Sequence, residues 1–85
     1  MAVARTLSIT NERGLHARAS AKFVEMVERY DAQVTVSREG MRVTGDSIMG
    51  LLMLGAAKGT QIDIECEGTD AQAVADALDL SLIHI

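Results

Sequence analysis

Over residues 60–66 the chain alternates between two kinds of side chain: Ile62, Ile64 and Cys66 are apolar, and Asp63, Glu65 and Glu67 between and after them are acidic. A period of two predicts a half-buried antiparallel strand, with successive residues on opposite faces. Residues 3–10 follow the same rule, with Leu7 and Ile9 on one side and Thr6, Ser8 and Thr10 on the other. Arg5 falls in the apolar register, so the buried part is expected to begin after it. Val34 and Val36 mark a strand over residues 33–37, and Glu39-Gly40 is a hairpin turn leading to a third strand through Met41 and Val43.

The period then changes. Phe23, Met26, Val27 and Tyr30 recur at i, i+3, i+4 and i+7, while Lys22, Glu25, Glu28 and Arg29 face outward. This predicts an amphipathic helix over residues 17–29, ending near Tyr30-Asp31. A short helix is expected after Gly45, with Asp46 or Ser47 as its N-cap, and a last one capped by Gly68-Thr69-Asp70, with Ala71, Val74, Ala75 and Leu78 on its apolar face. The order βαββαβα makes an α+β fold. Short strands with one polar face each and amphipathic helices between them imply a two-layer structure: an antiparallel sheet carrying its helices on one side.

Composition narrows the class. Eighty-five residues make one small domain, and 48% hydrophobic with 24% charged is the balance of an ordinary soluble globule. The single cysteine, Cys66, excludes an intrachain disulfide and suits a reducing compartment. The first residues lack the basic start and apolar core of a signal peptide, and no apolar run approaches the roughly 20 residues of a membrane span, so the cytoplasm is the expected location. A net charge of −4 with one Phe and one Tyr argues against nucleic acid as a partner, since such binders need a basic face and stacking rings.

Against that acidic background, Arg13, Arg18 and Lys22 gather around His16, placed where the loop from Asn11 to Gly14 enters the first helix. The first four N–H groups of a helix lack partners inside it, and the peptide dipoles leave about half a positive charge there. That end of a helix holds phosphate with donors already oriented. An imidazole in the same place is a nucleophile beside a phosphate cradle, with the Arg18 guanidinium near enough in sequence to neutralise what it receives. His16 is thus a candidate carrier of a phosphoryl group. The backbone amides near Ala17 and the Arg18 side chain are the candidate phosphate ligands. The chain has no ATP-binding glycine loop and no metal-ligand cluster, so no metal or cofactor is expected, and neither is independent catalysis.

Gly14-Leu15-His16-Ala17-Arg18 closely resembles the active-site motif of HPr, the histidine-containing phosphocarrier family of the bacterial phosphotransferase system. Gly45-Asp46-Ser47-Ile48-Met49-Gly50 and Gly55-Ala56-Ala57-Lys58-Gly59 look like that family's second motif region, so the likeness covers about residues 6–78 at matching spacing. It implies the open-faced β-sandwich with strand order 1-4-2-3. It also implies a relay in which His16, through Nδ1, takes a phosphoryl group from phospho-enzyme I and passes it to an enzyme IIA-type acceptor; a monomer is expected, because those partners need the open face. One departure stands out: the family usually has proline after the motif arginine, and this chain has Ala19. Proline would preset the first turn, so a slightly looser site with every reacting group retained is expected. Arg18-Ala19-Ser20 resembles the alphaproteobacterial form, in which the system looks regulatory rather than sugar-transporting.

The stretch from Ile48 to Leu54 is apolar nearly all round, more than a short helix on a small domain can bury. Leu51 and Leu54 are expected in the core. For Ile48, Met49 and Leu52 the family resemblance implies a docking patch beside His16. Ser47 is expected to cap this helix, and the resemblance makes it a regulatory candidate for an HPr serine kinase of the kind some bacteria have. Asp46-Ser47-Ile48 also resembles the Asp-Ser-Leu signature of acyl carrier proteins, but those are all-helical, against the alternating strands of residues 3–10 and 60–66. A non-catalytic interaction domain of the same shape is a third reading. Finally, Leu80-Ser81-Leu82-Ile83-His84-Ile85 breaks the periodicity seen up to Leu78 and matches the translation of a transposon-end sequencing adapter. The expected domain is therefore residues 1–79, with 80–85 a non-native tail in which His84 has no role.

Overall fold

The computed structural model describes residues 2–10 and 12–83, with the backbone alone for 81–83; Asn11 and His84 lie outside the described residues. Four strands, β1 (Ala2–Ser8), β2 (Gln33–Arg38), β3 (Met41–Thr44) and β4 (Gln61–Glu67), form one antiparallel sheet in the order β1-β4-β2-β3. Helices α1 (Ala17–Glu28), α2 (Ile48–Leu54) and α3 (Ala71–Ile83) pack on one side, making the open-faced α+β sandwich. In β4 the alternation is complete, since Ile62, Ile64 and Cys66 are buried while Gln61, Asp63, Glu65 and Glu67 are exposed. Such strands exclude an all-helical acyl-carrier fold.

The central pair sets the register: Val36 lies opposite Ile64, and Val34 opposite Cys66. Onto this dry face α1 places Phe23, Val24 and Val27, and α3 places Ala71, Val74, Ala75 and Leu78, all buried. The hairpin after β2 turns through Glu39 at φ +50° and Gly40 at φ +84°. Two consecutive positive φ angles give the turn the twist that antiparallel strands require.

Three local expectations change. Strand β1 starts at Ala2 and stops at Ser8, because Ile9 leaves the ladder to bond Thr60 O through its own N–H (2.9 Å). Arg5 keeps the helix-facing register, half-buried, and the first buried residue of the strand is Leu7, as expected; its side chain ends on α3, Nη2 2.6 Å from Asp76 Oδ1. That guanidinium holds the Asp76 carboxyl below the usual carboxylate range. The second change is at Asp70, whose C=O begins α3 by accepting from Val74 N (2.9 Å), while its carboxylate accepts from Asp31 N (2.8 Å) and so anchors the loop after α1. The third is the length of α3. Residues 80–83 continue the helix, since the sequence holds no proline to stop it and leucine is a good helix former.

Cys66 is buried on the inner strand β4, and burial pushes its thiol up from the ordinary range, with the Arg5 charge opposing in part. A raised folded pKa means the unfolded thiol ionises first, so this contribution to stability is intact below the ordinary thiol pKa and is lost as pH rises beyond it. Native protein at pH 8 is therefore expected to resist iodoacetamide, with labelling at least about 100-fold slower than in urea, followed by mass spectrometry. Native labelling at the unfolded rate would place the thiol at the surface.

Candidate phosphoryl site

His16 is the N-cap of α1, with φ −74° and ψ −179°, extended backbone that lets its side chain fold back over the first turn. The ring does so. Nδ1 accepts from the backbone N–H of Arg18 at 3.1 Å and of Ala19 at 3.4 Å, and the His16 carbonyl accepts from Ser20 N at 2.8 Å. Two N–H groups aimed at Nδ1 leave a lone pair there, so the neutral ring carries its proton on Nε2. The amides that meet Nδ1 are those of Arg18 and Ala19, directly after the Ala17 that the motif names. Ala17 itself is exposed at the first helical position.

The loop beneath the ring is fixed from both sides. Leu15 N donates to Ala56 O at 2.8 Å, and Leu15 O accepts from the Ser20 hydroxyl at 3.3 Å. Gly14 makes the first of these contacts possible, because a Cβ on it would stand 2.3 Å from Ala56 O and 2.8 Å from Ala57 Cα. Its φ of +64° is also one that glycine adopts freely. Ser20 is fully buried, a role that the hydrophobic pattern does not reveal. Its signal was present all the same: a serine in the first turn, four residues after His16, can bond backward to the chain entering the helix.

Arg18 and Lys22 are exposed, and among the described residues neither side chain has a hydrogen bond or ion pair. The Arg18 guanidinium is thus an uncommitted fork on the residue whose amide already faces His16.

Helix α2 packs against α1 and carries the second set of candidates. Ser47 is its N-cap, accepting Gly50 N on Oγ at 3.0 Å. Gly50 lets the helix lie close on β3, as a Cβ there would stand 3.0 Å from Val43 Cβ. Leu51 and Leu54 are buried. Ile48 is 40% exposed and Met49 69%, whereas Leu52 is only half-exposed. Met53, one turn after Met49, is 66% exposed and extends the apolar patch beyond the three residues expected. The i, i+4 spacing of the two methionines already placed them on one face.

This arrangement has known counterparts. The family model "PTS HPr component phosphorylation site" matches residues 3–82. The chain belongs to the HPr family. Phosphocarrier protein HPr of Neisseria meningitidis is 47% identical over 77 residues, covering 89% of this chain and 86% of that protein. Phosphocarrier protein NPr of Escherichia coli is 38% identical over 79 residues, covering 92% of this chain and 88% of that protein. The crystal structure of HPr from Bacillus anthracis superimposes with a TM-score of 0.89 at 32% identity, covering 94% of this chain and 95% of that one. HPr proteins are phosphocarriers of the phosphotransferase system rather than self-sufficient catalysts, and this chain has that fold over its described length. Among the described residues no helix is long and apolar enough to cross a membrane.

Proposed function

We propose that His16 is the phosphoryl acceptor of a cytoplasmic relay. In the forward step Nδ1 attacks the phosphorus of a phosphohistidine on enzyme I. One N–P bond forms as the other breaks, and the donor histidine leaves with the electron pair. In the second step an imidazole of an enzyme IIA-type acceptor attacks in turn, and His16 leaves. The observation that carries this reading is the pair of amides trained on Nδ1. Once phosphorus occupies the lone pair, the N–H groups of Arg18 and Ala19 become donors to the phosphoryl oxygens, and the helix dipole acts in the same sense. The uncommitted Arg18 guanidinium stabilises the charge in flight, where phosphoryl-transfer catalysis mainly lies. A half-exposed ring at a helix end suits transfer in both directions, because a closed pocket would exclude the next protein.

The exposed face of α2, with Ile48, Met49, Leu52 and Met53, serves as the docking patch for both partners, and methionine adapts to two different surfaces. The chain acts as a monomer so that this face stays open. Ser47 at its edge is the regulatory position, where a serine kinase would add nearly two negative charges beside the patch and weaken docking of acidic surfaces.

The test is intact mass after incubation with phosphoenolpyruvate and enzyme I. One acid-labile phosphate, mapped to His16, is the expected product, and Arg18→Ala is expected to take it up more slowly. An unmodified mass favours a non-catalytic interaction domain.

Ala19 gives a finer prediction. Proline at this position keeps first-turn geometry but has no N–H, so Ala19→Pro removes the 3.4 Å donor. A neutral lone pair loses little by this, whereas a phosphoryl dianion loses a charge-assisted bond. The equilibrium with enzyme I is therefore expected to shift toward phospho-enzyme I by about three- to ten-fold, measured by quenched-flow partitioning of labelled phosphate. An unchanged equilibrium would leave the Arg18 amide as the sole backbone donor.

A further inference from the structure

Arg38 is the last residue of β2, and its side chain, 20% exposed, leaves the sheet to cover the far end of α2. Its Nη1 donates to Leu54 O at 3.1 Å. Glu39 stands 3.6 Å from Nη2 but is itself 77% exposed, so solvent screens that pair and the carbonyl is the contact that fixes the guanidinium. A seven-residue helix does not sustain itself, and α2 is closed at both ends: Ser47 Oγ takes Gly50 N, and Arg38 takes the carbonyl of the last helical residue. A cation is favoured there because the helix dipole ends in partial negative charge.

The contact matters because of where the chain goes next. Beyond Leu54 it turns through Gly55 at φ +63°, and the Ala56 carbonyl then accepts from Leu15 N, the amide just before His16. The Arg38 contact and the support of the His16 loop are thus two residues apart on one short stretch of chain. We propose that Arg38 is a positioning residue for the phosphoryl site: by holding the end of α2 it fixes where Ala56 stands, and so where Leu15 and His16 stand relative to the docking face. The part of this that concerns transfer rests on the relay proposed for His16. The part that concerns position does not.

The test compares Arg38→Met, which keeps an apolar stem and loses the donor, with Arg38→Lys, which can still reach the carbonyl with one N–H. Amide hydrogen exchange is read at Leu15, Arg18 and Ala19, with Val36 and Ile64 as reporters of the sheet. In Arg38→Met, exchange at Leu15 is expected to accelerate about ten-fold while the sheet amides stay unchanged, and Arg38→Lys is expected to restore most of the protection. With phospho-enzyme I as donor, Arg38→Met is expected to raise KM for the carrier several-fold with kcat within about two-fold, since docking face and nucleophile no longer stand in fixed relation. Unchanged exchange at Leu15 overturns the proposal, and so does an equal loss at Leu15 and in the sheet, which would make Arg38 a general stabiliser. Loosened exchange with wild-type transfer kinetics overturns the coupling to transfer. A wild-type chain that takes up no phosphate counts against the relay and leaves the exchange result to judge Arg38.

Discussion

Replacing His16 by alanine is expected to abolish phosphoryl incorporation, a loss on the order of a thousand-fold or more, because no other side chain replaces the attacking nitrogen. That variant alone does not isolate the chemistry. His16 is also the N-cap of α1, and losing a cap costs about 1 kcal/mol, roughly 4–8 °C in Tm for a domain of this size. The companion is His16→Asn. Asparagine is among the best N-cap residues, and its side-chain oxygen can accept the amides that Nδ1 now accepts, but a neutral carboxamide is a poor nucleophile toward phosphorus. His16→Asn is expected to melt within a few degrees of wild type and to take up no phosphate, while His16→Ala melts lower and also takes up none. Intact mass and thermal unfolding of the two variants check this together. An acid-labile phosphate on His16→Asn would move the acceptor elsewhere and remove the basis of the proposed relay.

The two roles of His16 show how far the sequence could be read. Period two at Ile62, Ile64 and Cys66, and period 3.6 at Phe23, Met26, Val27 and Tyr30, were legible because side-chain direction follows from backbone geometry within one element. The helix-entry position of His16 was legible for the same reason, since orphan amides belong to any helix start. What the sequence left unread was non-local or depended on competition between partners. Asp70 looks like a cap by position, yet its carboxylate turns to Asp31, 39 residues away. Arg5 looks like an interruption of a dry strand face, and only the presence of Asp76 on α3 explains why a cation stands there. The direction of a long side chain toward a remote carbonyl, as with Arg38 and Leu54, leaves no periodic trace. Residues 80–83 broke the amphipathic pattern without breaking the helix, because amphipathicity reports what a helix packs against and not whether the backbone can continue.

The same distinction between local conformation and remote contact governs the two glycines at almost equal φ. Gly14 stands at +64° and Gly55 at +63°, so alanine pays the same left-handed penalty at each, about 1–2 kcal/mol. They differ in surroundings: a Cβ on Gly55 meets nothing within 4 Å, whereas on Gly14 it stands 2.3 Å from Ala56 O and 2.8 Å from Ala57 Cα. Both obstacles are backbone, which cannot swing aside as a side-chain tip could. Relief requires the loop to lift, which breaks the Leu15–Ala56 hydrogen bond at a further cost of about 1–3 kcal/mol for the buried groups left unpaired. Gly14→Ala is therefore expected to lose about 2–5 kcal/mol in urea unfolding and Gly55→Ala about 1–2, with phosphoryl uptake falling far more in the first. The difference between the variants measures the contact alone, since the backbone term cancels. Equal losses would mean that Gly14 matters only for its φ, and that the Ala56 strap does not hold the His16 loop.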